Sequence, residues 1–331
     1  MNIITQAQLV DWLNGLARKN PLIAPREEAG VILYRPVQTI DEIAWDFTRT
    51  QIPVKEVFFP PTERLMTIEK NGQGVTLTET FSDEKPVIFG VRPCDGRAMV
   101  MLDALFIDTP PVDPYYARRR ENATLVGLAC NEMGESCFCT SVGGAPDGTV
   151  GLDMLLTEVD GGYILQTLTE KGKKLLQWMT LAGYYGEKPT PVVNPPIPLV
   201  DQDAWRAAFD DEYWERMAER CLSCRACAYV CPTCRCFAVR DEALVAPGSF
   251  ERIRCWDSCA GENYRRIAGG HRPRAEKGER LRNRFMCKFY YYPAEYGLSQ
   301  PASCTGCGRC IDACPVNVDI TEVLVEVGRL S

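Results

Sequence analysis

Seventeen cysteines against a single histidine restrict this chain more than any other feature of its sequence. A chain of 331 residues has ample length for a hydrophobic core and needs no disulfide staples. Seventeen is an odd count, and one histidine nearly excludes zinc sites that mix His and Cys. The cysteines are also unevenly placed. Four lie from Cys94 to Cys139, none from Thr140 to Arg220, and thirteen from Cys221 to Cys314. A reducing, cytoplasmic setting and iron–sulfur chemistry are the first expectation.

Spacing sharpens it. Cys221-x2-Cys224-x2-Cys227-x3-Cys231-Pro232 is one run, and Cys304-x2-Cys307-x2-Cys310-x3-Cys314-Pro315 repeats it. Three thiolates at this spacing wrap one face of a cubane, while the fourth turns away to the neighbouring cluster. The spacing therefore predicts crossed ligation of two [4Fe–4S] clusters. Cys221, Cys224, Cys227 and Cys314 hold one, and Cys304, Cys307, Cys310 and Cys231 hold the other. Zinc knuckles also use CxxC pairs, but this four-cysteine rhythm, twice over, is not their pattern. Ser223, Ala226, Ala228, Gly306 and Gly308 are small enough to let backbone N–H groups approach the sulfurs.

Pro189, Pro191, Pro195, Pro196 and Pro198 fall within ten residues, a density that favours an extended linker. The expected organisation is a mixed α/β domain over 1–188, a proline-rich linker over 189–202 and an α-helical dicluster domain over 203–331. In the first part, Thr5 and Gln8 form a capping box ahead of Leu9, Leu13 and Leu16. That capped amphipathic helix stands where a signal peptide would have an apolar middle. Asn71-Gly72 marks a hairpin between Leu65–Lys70 and Val75–Thr80. Val87–Val91 and Thr124–Leu128 read as buried strands, with a helix over Asp95–Phe106 between them, which suggests a βαβ unit. The second part shows no strand signal. A helix capped by Asp203 carries Trp205, Phe209, Tyr213 and Met217, and another follows Asp319. The fold class is thus α+β, the second domain being an all-α ferredoxin-like unit.

Cys94, Cys130, Cys137 and Cys139 are four, the number a third cluster requires. Cys94 and Cys130 each follow a strand, and parallel strands would bring both to one carboxyl edge. Buried or redox-active free thiols are the alternative, and the residues leave both open. Cys234, Cys236, Cys255, Cys259 and Cys287 are read as free thiols packed around the clusters, with a further centre as the alternative. The basic stretch of Arg272, Arg274, Lys277, Arg280, Arg282 and Arg284 reads as a solvated face, a docking surface, or support for cluster charge. Arg118, Arg119 and Arg120 pose the same choice. His271 reads as a hydrogen-bonded structural residue.

Other chemistry is thin. The chain has no GxGxxG opening a helix after a strand, no Walker loop and no HExxH. A formal charge of −7 argues against nucleic acid as a partner, and no apolar run reaches the roughly 18–20 residues of a membrane span. No substrate site of its own is evident.

Several segments taken together carry a resemblance. They are the run from Cys221 to Phe237, Trp256-Asp-Ser-Cys259, Ala268-Gly-Gly-His271 and the Cys304 motif. In the first half they are Phe58-Phe59-Pro60-Pro61, Gly90-Val-Arg-Pro-Cys-Asp95, Asp113-Pro-Tyr-Tyr116 and Cys137-Phe-Cys139. The chain resembles, over nearly its whole length, the 4Fe–4S dicluster β subunits of cytoplasmic sulfhydrogenases, which are NAD(P)-linked [NiFe] hydrogenases. The A subunit of anaerobic sulfite reductase is a close relative. The resemblance implies an electron-relay subunit between a flavin/NAD(P)-binding subunit and a catalytic, [NiFe] hydrogenase subunit. The alternatives are the sulfite reductase A subunit, or a subunit with its own sulfur- or polysulfide-reducing site at Cys94, Cys130, Cys137 and Cys139.

Overall fold

An apolar run such as Val87–Val91 has no polar side to offer water, and all five of its residues are buried at the centre of a sheet. The computed structural model describes residues 2–179, 187–297 and 303–330. Its strands are β1 (Asn2–Thr5), β2 (Leu22–Glu28), β3 (Val31–Val37), β4 (Thr62–Asn71), β5 (Gly74–Glu79), β6 (Val87–Val91), β7 (Thr124–Leu128), β8 (Met154–Val159), β9 (Gly162–Thr167), β10 (Phe237–Ala243) and β11 (Ser249–Trp256). Seven form a mixed sheet in the order β1-β9-β8-β7-β6-β2-β3. Its centre, β2, β6, β7 and β8, is parallel; β1, β3 and β9 run antiparallel to their neighbours.

The expected βαβ unit is present, with the helices Pro93–Phe106 and Pro114–Asn122 both lying between β6 and β7. Alternation sends Phe89 and Val126 to one face of the sheet, where they meet Leu9, Trp12, Leu13 and Leu16 of the helix Gln6–Ala17. Ile88 and Leu125 go to the other face, against Met99, Leu102, Phe106 and Tyr116. Gly90, at φ 76°, introduces a register shift after Phe89, and Val91 consequently joins the face of Ile88. The capping box forms as expected, Gln8 N–H donating to Thr5 Oγ1 at 3.2 Å and Thr5 N–H to Gln8 Oε1 at 2.9 Å.

The second part is not all-α. Strands β10 and β11 lie within it and complete an antiparallel sheet, in the order β10-β11-β4-β5, with the expected hairpin of the first part. Neither strand shows apolar alternation. β10 is exposed along nearly all its length, and β11 carries Arg252 and Arg254 in its middle. What secures β11 is charge pairing. The Arg254 guanidinium, 2% exposed, donates from Nη2 to Glu63 Oε2 at 2.5 Å and also meets Asp113. It lies over the rings of Phe59 and Phe237, at 5.0 and 5.3 Å.

A second correction concerns the helix expected after Asp203. Two helices, Gln202–Ala207 and Tyr213–Arg220, replace it, and the first is capped by Asp201, which accepts from Ala204 N–H at 2.8 Å. Asp211 breaks the run because its side chain accepts from Tyr213 N–H at 2.7 Å, a local turn that competes with helix. These helices pack Trp205 and Trp214 against Phe285 and Phe289, together with Val323, Leu324 and Val327 of the helix Ile320–Leu330. Phe138 and Val142 of the first part are buried in the same core. Among the described residues no helix is long and apolar enough to cross a membrane.

Among the described residues, removing Arg254 leaves buried Glu63 with Arg119 as its one remaining cation and leaves Asp113 with none. Arg254→Met is expected to cost about 3–5 kcal/mol, the range for breaking a buried pair from one side. Arg252→Met, which loses only an exposed pair with Asp241, should leave the transition almost unchanged. Anaerobic denaturant unfolding of the two variants measures the contrast.

Candidate metal centres

The two cysteine motifs fold alike. Each begins with a loop in which two residues take positive φ: Ser223 at 52° and Arg225 at 68° in the first, Gly306 at 65° and Gly308 at 73° in the second. Each then enters one turn of helix, Ala226–Tyr229 or Arg309–Asp312, before its Cys-Pro step. The turning backbone aims N–H groups at sulfur. Ser223 N–H donates to Cys221 Sγ at 3.4 Å, and Gly306 N–H does the same to Cys304 Sγ at 3.4 Å. A left-handed residue with a Cβ is strained by about 1–2 kcal/mol. The first motif tolerates side chains at these positions, but the second has no room for them. A Cβ on Gly306 would lie 2.6 Å from Cys139 Cα, and one on Gly308 would lie 2.5 Å from the Ser136 carbonyl oxygen.

Cys221, Cys224, Cys227 and Cys314 line one cavity of about 520 Å³, its open mouth included, with Leu281, Phe285 and Ile320 as apolar wall. Val318 N–H donates to Cys314 Sγ at 3.1 Å. Cys310 of the second motif also borders this cavity. Cys231 lies near Cys304, Cys307 and Cys310 of the second motif and also near Cys227 of its own. After burial, the first cause of the raised pKa of Cys310, come Arg284, which lowers it, and then Cys304, Cys231 and Cys307. Burial likewise pushes Cys304 up to about 12. Cys231 itself is held low by a hydrogen bond from Cys234.

Cys94, Cys130, Cys137 and Cys139 line a further cavity of about 380 Å³ on the same measure, and Cys307 and Gly306 form part of its wall. Cys94 sits in the first turn of the helix Pro93–Phe106 and Cys130 just beyond β7, as the parallel strands required. The loop that returns Cys137 and Cys139 is pinned on both sides. Phe138 N–H donates to the Gly306 carbonyl at 2.8 Å, and Asn194 Nδ2 of the proline-rich stretch donates to the carbonyls of Gly134 and Cys137, each at 2.8 Å. Arg49 Nη1 reaches Cys137 Sγ at 3.2 Å. Burial is the leading cause of the raised pKa of Cys94, Cys130 and Cys139, the last reaching about 12.

The two cavities present sulfur and no carboxylate. Among the described residues no three His, Cys, Asp or Glu side chains crowd closely enough to hold a single ion. The thiols stand around spaces instead, as they must when four ligands hold four different irons. Buried neutral thiols release their protons on taking up metal. Donor type, spacing and inward N–H groups all fit iron–sulfur clusters.

Much of the basic stretch is turned inward. Lys277 Nζ donates to the Cys221 carbonyl at 3.0 Å, and Arg284 Nη2 to the Cys227 carbonyl at 2.7 Å. Arg280 is buried, and Arg282 lies over the Phe209 ring at 3.8 Å. Arg118, Arg119 and Arg120 pair with Asp83, Glu63 and Asp103. His271 is exposed, its carbonyl accepting from Ile267 N–H at 3.1 Å.

The sequence reading passed over the pair that joins the sets. Arg309, between Cys307 and Cys310, donates from Nη1 and Nη2 to the two carboxylate oxygens of Asp95 at 2.6 and 2.7 Å, and from Nε to the Thr50 carbonyl at 2.8 Å. An arginine between two motif cysteines and an aspartate directly after Cys94 were the available signals.

A family model described as a 4Fe-4S dicluster domain matches residues 220–318. The chain carries two [4Fe–4S] clusters accordingly. It is 34% identical to the sulfhydrogenase 2 subunit beta of Pyrococcus furiosus over 331 residues, which cover 96% of this chain and 95% of that protein. No solved structure matches the chain.

The glycine argument is open to a direct check. Gly308→Ala adds left-handed strain to an overpacked contact and is expected to destabilise by about 2–4 kcal/mol. Ser223→Gly relieves strain where no neighbour objects and should be neutral or stabilising by up to about 1 kcal/mol. Thermal melts under anaerobic conditions compare the two.

Proposed function

The chain belongs to the family of the sulfhydrogenase beta subunit and is an iron–sulfur electron-transfer subunit; from that premise we propose that it relays single electrons between a flavin/NAD(P)-binding subunit and a catalytic [NiFe] hydrogenase subunit of a cytoplasmic complex. Cys221, Cys224, Cys227 and Cys314 hold one cluster, and Cys304, Cys307, Cys310 and Cys231 the second. Cys94, Cys130, Cys137 and Cys139 hold a third.

One observation carries this reading. The second motif stands between two thiol-lined cavities and contributes Cys310 to the wall of one and Cys307 to the wall of the other. Clusters held there each take up and pass on one electron. The chain's own residues wall the sets, fix their order and supply positive charge beside the sulfurs. Cys224, the exposed cysteine, brings the first set to the surface, where a partner's cofactor can approach.

The isolated chain is expected to take electrons from dithionite and to show no turnover with hydrogen, NAD(P)H or sulfite. With the flavin subunit added, NAD(P)H reduces the clusters. Reduction of polysulfide or sulfite by the chain alone, at enzyme-like rates, would make it a catalytic subunit and end the relay reading.

Ligation is tested separately, by iron content and electron paramagnetic resonance. Cys94→Ser should remove about four irons and leave the signals of both motif clusters in place. Cys314→Ser should damage the cluster of Cys221, Cys224 and Cys227 and spare that of Cys304, Cys307 and Cys310. Loss of the latter instead means that each motif closes on itself.

A further inference from the structure

Five cysteines belong to none of these sets, and four of them converge. Cys236 stands just before β10 and Cys259 just after β11. The register of that hairpin pairs Phe237 with Trp256, and Asp257 N–H donates to the Cys236 carbonyl at 2.9 Å, so both ends meet. Cys234, two residues earlier, is reached by Arg284 Nη1 at 3.5 Å from the helix Lys277–Met286. Cys287 follows that helix directly, and its sulfur accepts from Arg235 Nη2 at 3.4 Å. Arg235 lies between Cys234 and Cys236, so one arginine spans two of the segments. Cys236 and Cys287 both lie near enough to Cys259 to add to the effect of burial on its thiol. We propose that Cys234, Cys236, Cys259 and Cys287 hold a further [4Fe–4S] cluster, distinct from those of the two motifs.

The surroundings favour a charged cluster over free thiols. Three of the four sulfurs have donors aimed at them: Arg284 at Cys234, Tyr264 Oη–H at Cys236 at 3.3 Å, and Arg235 at Cys287. A thiol is a weak acceptor and gives little reason for such aim; a metal-bound thiolate is a strong one. Lys55, Arg284 and Lys288 are 1%, 3% and 2% exposed. Lys55 Nζ is held by the carbonyls of Cys231 and Cys234, at 2.9 and 3.0 Å, and Lys288 Nζ by Thr233 Oγ1 at 2.7 Å. Among the described residues, none of Lys55, Arg235, Arg284 and Lys288 makes an ion pair with a carboxylate. Buried cations without an anion are costly. A cubane bound by four thiolates is an anion, and a second one beside that of the Cys304 motif supplies the missing charge. Cys255 differs from the other four: it sits within β11, paired with Ala238 and Thr62.

The test is iron and acid-labile sulfide in the full chain, purified and reconstituted without oxygen. Cys259→Ser and Cys287→Ser should each lose about four irons and four sulfides relative to the unmodified chain, and Cys255→Ser none. The resonances of the motif clusters should persist in both. If Cys259→Ser and Cys287→Ser keep the full content, the proposal is wrong. Should neither accumulate as folded protein, the Cys94→Ser chain decides, since it lacks any cluster at Cys94, Cys130, Cys137 and Cys139. About twelve irons there support the further cluster, and about eight overturn it.

Discussion

The two-point contact of Arg309 with Asp95 fixes the arrangement of everything around it. Both side chains are buried, at 3% and 0% exposure. A charge so placed is tolerable only with a partner in good geometry, and here both carboxylate oxygens are met. Arg309 lies between Cys307 and Cys310, and Asp95 directly follows Cys94. The bond therefore sets the distance between the second motif and the carboxyl edge of the large sheet. Gly306 and Gly308 follow from it, since the loop carrying Ser136 to Cys139 then presses on the motif with no gap for a side chain. So does the position of Phe138, drawn from the first part into the helical core of the second.

Charge is distributed oppositely inside and out. The chain as a whole has a formal charge of −7. Its buried ionisable side chains are mostly cationic: Lys55, Arg92, Arg97, Arg254, Arg280, Arg284, Lys288 and Arg309 against Glu63, Asp95 and Asp153. An interior of that sign suits clusters whose thiolates outweigh their iron, and hydrogen bonds and burial around the sulfurs set their potentials. The acidic excess then lies on the surface. A partner bearing a basic patch would be steered to it, the reverse of the polarity that an exposed arginine stretch implies.

Local chemistry was legible in the sequence wherever neighbours in the chain determine it. Thr5 and Gln8, Asn71-Gly72, the apolar runs of β6 and β7, and the convergence of Cys94 with Cys130 all rest on short-range rules, and they hold. The failures share one cause. β10 and β11 exist because β4 offers a free edge and Glu63 and Asp113 offer charge, and none of these lies within the window in which a strand is recognised. The run from Arg272 to Arg284 looks solvated because Lys277 and Arg284 find their acceptors in the carbonyls of distant Cys221 and Cys227, and Arg282 in the ring of Phe209. Composition registers a charge but not its destination.

The sheet formed by β10, β11, β4 and β5 has a consequence for how the chain is made. Glu63 and Arg254 are 191 residues apart, and Asp95 and Arg309 are 214 apart. At about 5–20 residues per second, a ribosome delivers Arg254 on the order of 10–40 s after Glu63. Through that interval the hairpin of β4 and β5 waits with an unpaired edge, and Glu63 has only Arg119 as a cation. The second motif emerges later still. A cluster that draws on cysteines of both motifs can be completed only once that motif has emerged.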